Sequence, residues 1–101
     1  MTRESSVSPS EESAENNVLY RVNPEYPEKA QREGIEGPVV LDLYINADGS
    51  VQNVGVVSGP AVLANAATSA VRQWRFKPHV VDSRRVKMRM RVTIRFTLPH
   101  S

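Results

Sequence analysis

The sequence predicts an α+β domain in which a three-stranded antiparallel sheet carries two helices on one of its faces. Three segments alternate between apolar and polar residues, as half-buried strands do, and two segments carry helix spacing or helix-end residues. Their order along the chain is helix, hairpin, helix, strand, which lets one sheet bury its apolar face under both helices. The length of 101 residues, with 40% hydrophobic and 24% charged residues, suits one small core.

The first 17 residues are rich in Ser, Glu and Asn and contain almost no large apolar side chains. Such a segment buries too little surface to offset the entropy lost on ordering. We therefore expect 1–17 to be a disordered tail or the end of a linker, and 18–101 to be the folded domain.

The first helix is predicted over Tyr26–Gly34. Pro27 suits the first helical position, because its missing N–H would have no helical acceptor there. Gly34 suits the left-handed position that ends a helix, after which Ile35 folds back onto Ala30.

A β-hairpin follows the first helix. Its strands are predicted over Val39–Asn46 and Val51–Val57, and Asp48-Gly49 supplies the tight turn between them. The apolar phase of the second strand shifts near Gln52-Asn53, which predicts a β-bulge there.

The second helix is predicted over about Ala61–Arg75, where apolar residues recur at helical spacing. Pro78 disfavours helical geometry just before it, and His79–Arg85 is expected to be a loop. The final segment, Val86–Leu98, alternates without a break and predicts a strand about twice the typical length. Because it outruns its partners, part of it should lie unpaired at an edge of the sheet.

A free strand edge offers backbone N–H and C=O groups to an extended peptide from another protein. It could equally pair with a second copy of the domain, or stay solvated. From the residues alone these alternatives remain open.

Charge is distributed unevenly along the chain. Residues 1–36 carry four basic and eight acidic side chains, whereas residues 72–95 carry nine basic side chains against Asp82 alone. A basic stripe on the last strand is compatible with a solvated face that discourages aggregation, with contacts to a charged partner, or with nucleic acid. Nucleic-acid sheets usually add stacking aromatics, and here only Tyr44 stands on that face. The stripe comprises Lys87, Arg89, Arg91 and Arg95.

The sequence argues against an enzyme and against a metal or cofactor site. There is no cysteine, and no serine, histidine and acid fall where the predicted fold would assemble a nucleophile with its base. Asp48 is assigned to the turn and Asp42 to a solvated strand position. His79 has no second ligand in range and is expected to be an exposed loop residue. No apolar run approaches the length of a membrane span.

Four motifs, taken in their order and spacing, resemble the TonB C-terminal domain family, and the resemblance runs from about Asn23 to Leu98. Singly, each of them is common. They are Asn23-Pro24-Glu25-Tyr26-Pro27, Ile35-Glu36-Gly37, Ala47-Asp48-Gly49-Ser50-Val51 and Arg72-Gln73-Trp74-Arg75-Phe76-Lys77-Pro78.

The resemblance implies the periplasmic domain of a TonB-type energy transducer from a Gram-negative bacterium. Such a protein is held in the inner membrane by an N-terminal helix, which is not found in this chain, and ExbB and ExbD couple the proton gradient to it through that region. Its C-terminal domain binds TonB-dependent outer-membrane transporters that take up nutrients such as siderophores or cobalamin.

The resemblance also implies the contact residues. The transporter's TonB box adds as a strand beside the last strand, and a Gln-Pro pair of the family, here Asn23-Pro24, touches the transporter. The implied partner-binding residues are Asn23, Pro24, Arg91, Val92, Thr93, Ile94, Arg95, Phe96 and Thr97. We expect no cofactor, no nucleic acid and a monomer or weak homodimer; a periplasmic scaffold or cell-wall-binding domain is the alternative.

Overall fold

The computed structural model describes residues 6–9, as backbone, and residues 18–99. In chain order the elements are β1 (Ser6–Pro9), β2 (Val18–Tyr20), α1 (Glu28–Glu33), β3 (Gly37–Ile45), β4 (Val51–Ser58), α2 (Ala61–Val71), β5 (Arg75–Phe76), β6 (His79–Val81), β7 (Arg84–Val86) and β8 (Met88–Thr97). The main sheet has the order β1-β8-β3-β4, and two small sheets pair β2 with β5 and β6 with β7. The predicted α+β class is confirmed.

The three predicted strands form the body of the main sheet. β3 pairs antiparallel with β8, from Gly37 opposite Phe96 to Ile45 opposite Met88. β4 pairs with the other side of β3, and its register shifts twice, once at each end. The shift near Val51 leaves Gln52 without an opposite residue, which confirms the bulge predicted from the change of apolar phase.

One face of the sheet carries the core. Alternate residues of β3 and β8 are buried there, and the same cluster includes residues from both helices, so the helices pack on this face. Trp74 and Phe76, which follow α2, are fully buried at the end of the cluster. The buried strand residues are Val39, Leu41, Leu43 and Ile45 of β3 and Val92, Ile94 and Phe96 of β8.

Helix α1 ends as its sequence predicts. Gly34 adopts the left-handed conformation with φ 68°, and the N–H of Ile35 donates to the carbonyl of Ala30 at 2.8 Å. This is the Schellman pattern, which satisfies carbonyls left open at a helix end. The start differs by one residue from the prediction: Pro27 is the N-cap, with ψ 135°, and not the first helical residue.

Helix α2 is shorter than predicted. It ends at Val71, and the N–H of Trp74 donates to the carbonyl of Val71, three residues back, in a tighter turn. The predicted helical residue Arg75 belongs instead to β5, because the N–H of Phe76 bonds to the carbonyl of Gly49. Tertiary pairing with the hairpin therefore overrides the helical spacing.

The loop predicted over His79–Arg85 is wrong, because a second hairpin, β6–β7, occupies it. Asp82 and Ser83 both have positive φ, 50° and 65°, as a two-residue hairpin turn with the right twist requires. The last strand is correspondingly interrupted at Lys87, although the alternation of apolar residues continues through it.

The N-terminal segment brings the largest correction. The prediction of a disordered tail fails over Ser6–Pro9, which forms β1 and pairs antiparallel with the C-terminal part of β8. Residues 1–5 and 10–17, the remainder of the predicted tail, lie outside the described residues. β8 is thus an inner strand over Ile94–Phe96, not an unpaired edge there.

Candidate protein-binding surface

The last strand places its predicted contact residues on two faces. Val92, Ile94 and Phe96 are buried in the core, so their side chains are not offered to a partner. Thr93 is half-buried and paired in register with Val40 of β3. Arg91, Arg95 and Thr97 are exposed on the outer face.

The backbone edge of β8 opposite β3 accepts an extended segment. Ser6 stands opposite Thr97, Val7 opposite Phe96, Ser8 opposite Arg95 and Pro9 opposite Ile94. The opposite edge of the sheet, β4, is broken by its two register shifts. Because strand addition needs backbone groups at regular spacing, β8 is the better-formed edge of the two.

The basic stripe is partly neutralised by a neighbouring strand. The Nε of Arg91 donates to Asp42 Oδ1 at 2.8 Å, and Nη2 of the same guanidinium donates to Oδ2 at 3.3 Å. These hydrogen bonds hold the pKa of Asp42 below its ordinary value and raise the pKa of Arg91. The outer face is therefore less basic than the stripe in the sequence indicates, although Arg89 and Arg95 remain exposed.

Asn23 and Pro24 lie in a different place, beside helix α2. Together with Val22 they line one wall of an open groove of about 580 Å³. Asn23 is exposed, whereas Pro24 is buried, so the asparagine is the member of the pair that can meet a partner. Helix α2 and the turn that follows it line the opposite wall, where polar residues recur at every fourth position. They are Asn65, Ser69 and Gln73.

Tyr26 connects the segment around the groove to the last strand. Its ring meets Phe96 edge to face, with the centroids 5.4 Å apart, and its hydroxyl donates to the carbonyl of Ile35 at 2.6 Å. Partial burial, with a smaller contribution from Glu36, raises the pKa of this phenol. Glu36 in turn accepts the N–H of Leu98 at 3.2 Å, which fixes the end of the last strand.

Sequence reasoning missed two parts of this surface. Tyr26 was assigned only to the start of a helix, and its contact with Phe96 depends on tertiary packing that no local pattern encodes. The pairing of Ser6–Pro9 was also missed, because a single valine between serines is too short an alternation to predict a strand.

Over residues 18–99, no three His, Asp or Glu side chains cluster where they could hold a metal ion. No helix in the same stretch is both long and apolar enough to cross a bilayer.

The sequence model described as the Gram-negative bacterial TonB protein C-terminal domain matches residues 22–98. The chain belongs to this family. The match starts next to Asn23 and ends one residue after β8, so both parts of the candidate surface lie within the TonB C-terminal domain. The family predicted from the motifs is thereby confirmed.

Three relatives show how much of a TonB protein the chain corresponds to. It is 38% identical over 83 residues to protein TonB of Vibrio cholerae serotype O1, covering 80% of this chain and 34% of that relative. It is 38% identical over 77 residues to protein TonB of Xanthomonas campestris pv. campestris strain B100, covering 74% of this chain and 34% of the relative. For protein TonB of Escherichia coli K12 the identity is 39% over 63 residues, with 60% and 26% covered. The chain thus spans about a third or less of these relatives.

A solved structure shares the fold. The solution NMR structure of the Pseudomonas aeruginosa TonB C-terminal domain superposes with a TM-score of 0.67 at 27% identity, covering 83% of this chain and 87% of the other. The likeness extends over most of the described residues and agrees with the family match.

Proposed function

We propose that the chain is the periplasmic partner-binding domain of a TonB-type energy transducer, and not an enzyme. It binds the TonB box of an outer-membrane transporter as an added strand along Arg91–Thr97. In the whole protein, which an N-terminal helix holds in the inner membrane, ExbB and ExbD supply energy from the proton gradient. The transporter then takes up a nutrient such as a siderophore or cobalamin.

One observation carries this proposal: the outer edge of β8 already pairs with an extended segment, Ser6–Pro9. The pairing supports the idea that the edge has the spacing and openness that strand addition needs. Membership of the TonB C-terminal domain family supports the same role.

The division of the β8 side chains suggests how affinity and specificity would arise. Main-chain hydrogen bonds supply affinity that depends little on the peptide's sequence, whereas exposed side chains select among sequences. Arg91 and Arg95 are exposed on the outer face, so acidic residues in or beside the peptide are favoured. Since Arg91 is already bonded to Asp42, Arg95 is the stronger selector.

The groove between Asn23 and α2 offers a second contact for the same partner. Amide and hydroxyl side chains from Asn23, Asn65 and Ser69 provide donors and acceptors beside apolar Val62 and Ala66. A folded part of the transporter that follows its TonB box would meet these groups. This contact is secondary to the strand and is expected to add affinity through a linked site.

A peptide titration tests the proposal. Isotope-labelled domain is titrated with a synthetic TonB-box peptide while the amide resonances are followed, and the resonances of Arg91–Thr97 should move. A peptide with proline at the centre of the box is the control, because proline lacks the ladder donor. Shifts confined to Val51–Ser58, the opposite edge, or no shifts at saturating peptide would refute strand addition at β8.

A further inference from the structure

The edge assigned to the partner peptide is occupied by the chain itself. Phe96 pairs with Gly37 of β3 on one side and with Val7 of β1 on the other, and Arg95 pairs likewise with Pro38 and Ser8. Over Ile94–Phe96, therefore, the backbone is paired on both sides. No second strand can add to that stretch while β1 is in place.

We propose that Ser6–Pro9 is an intramolecular ligand of the last strand, which an incoming peptide must displace before it binds. This inference rests on the proposed function, since it names the competitor for the same edge. β1 keeps the edge covered in the absence of a partner, and it lowers the apparent affinity for any peptide in proportion to the fraction of molecules in which it is bound.

The segment is suited to be displaced. β1 is only four residues long, and its last residue, Pro9, has no N–H to donate and so closes the ladder. Val7 is its one large apolar residue. A partner strand that spans Arg91–Thr97 forms more backbone hydrogen bonds with β8 than β1 does.

β1 pairs with β8 although it is short, because both strands belong to one chain. Residues 10–17 join β1 to β2 in the chain, so the pairing of β1 with β8 is intramolecular and does not pay the cost of bringing two molecules together. The sequence around β1 also carries a net negative charge, opposite to the positive charge on the outer face of the sheet. In the sequence, Ser6–Pro9 is flanked by Glu4, Glu11, Glu12 and Glu15, against Arg3 alone, whereas β8 carries Arg89, Arg91 and Arg95.

Two proline substitutions in β1 test, in the absence of any partner peptide, whether β1 covers the edge of β8. Successive N–H groups of a strand point to opposite sides, so one of Val7→Pro and Ser8→Pro must remove a donor that faces β8. The full chain with both substitutions is compared with the native chain and with a control that carries Ser13→Pro and Ala14→Pro.

Amide hydrogen exchange is the readout. The amides within Ile94–Thr97 that point towards β1 should exchange about tenfold faster or more in the Val7→Pro, Ser8→Pro variant, because the strand that protects them is lost. The control variant should exchange as the native chain does. Equal exchange in all three proteins would overturn the proposal.

The same three proteins are then titrated with the synthetic TonB-box peptide. Freeing the edge should tighten binding by about tenfold, because the apparent dissociation constant scales inversely with the competent fraction. Equal affinity in all three would overturn displacement and leave strand addition standing. If the peptide binds none of them, the proposed function fails, and the exchange experiment alone decides whether Ser6–Pro9 covers the edge.

Discussion

The indole Nε1 of Trp74 donates a hydrogen bond of 2.8 Å to the carbonyl oxygen of Val22, across 52 residues of chain. Trp74 is fully buried, and the guanidinium of Arg21 lies over its ring at 5.5 Å from the centroid. This contact anchors the segment that leads to Asn23 and the groove against the end of α2. The position of the groove therefore depends on one side chain of the core.

Replacing Trp74 with Phe should destabilise the domain by about 2–3 kcal/mol. The smaller ring leaves a void, and the Val22 carbonyl loses its donor. Urea unfolding followed by circular dichroism measures the loss. The neighbouring substitution Gln73→Ala, on an exposed side chain, should change stability by less than about 0.5 kcal/mol. Equal effects of the two substitutions would contradict the anchoring role of the indole.

Two glycines should respond differently to alanine. At Gly34 an added methyl group meets nothing within 4 Å. Gly34→Ala should therefore lower the free energy of unfolding only through the strain of alanine in the left-handed conformation, by about 1 kcal/mol. At Gly49 the Cβ would overlap the carbonyl oxygen of Phe76, and the backbone of the hairpin would have to shift away from β5. We expect Gly49→Ala to cost at least twice as much as Gly34→Ala in urea unfolding. The reverse order would show that the two segments do not approach as described.

The turn at Asp48 should make stability depend on pH. The side-chain hydrogen bond from Ser50 Oγ, at 2.6 Å, and the bond from the Ser50 N–H, at 2.9 Å, hold the pKa of Asp48 below its ordinary value. A lowered folded-state pKa contributes stability that is present above the unfolded pKa of about 4 and is lost as the pH falls through the folded value.

The measurement compares thermal unfolding at pH 5 and near pH 2.5 for the native chain, Ser50→Ala and Asp48→Asn. Ser50→Ala should show a smaller loss between the two pH values, because it lacks the stronger donor. Asp48→Asn should show the smallest loss of the three, since its side chain does not titrate. An identical loss in all three proteins would exclude this carboxylate as the cause.

Two substitutions at Tyr26 should separate the contribution of ring packing to stability from that of the hydroxyl hydrogen bond. Tyr26→Phe keeps the edge-to-face contact with Phe96 and removes only the hydroxyl that donates to Ile35, so we expect a loss of about 1 kcal/mol. Tyr26→Leu removes the aromatic pair as well and should cost clearly more. If peptide binding at β8 depends on this support, affinity should fall only with the leucine variant in a calorimetric titration.

Local sequence patterns were sufficient to predict the helix ends, turns and bulges that depend on contacts between residues close together in the chain. Gly34 ends α1, Asp48-Gly49 turns the hairpin, and the phase shift at Gln52-Asn53 marks the bulge, because each depends on the backbone preferences of a few residues. The end of α2 was not predictable in this way, since Arg75 is drawn into β5 by pairing with residues far away in the chain.

Parts of the candidate surface that depend on local sequence could likewise be predicted, whereas parts that depend on tertiary pairing could not. The strand Arg91–Thr97 could be predicted from its alternation, and its assignment to a partner came from the family resemblance. The occupant of its edge could not be predicted, because Ser6–Pro9 has the composition of a tail and gains its structure from β8. The second hairpin was missed because Asp82 and Ser83 both adopt positive φ without a glycine between them.

The two register shifts of β4 limit how copies of this domain could associate. A sheet with two regular edges can accept a new sheet at either side and so build an open-ended fibre. Here one margin, β4, is irregular, and the other is β1, a strand of four residues that ends at a proline. Neither margin offers a long regular edge while β1 is in place, so growth through the sheet into an open-ended fibre is disfavoured.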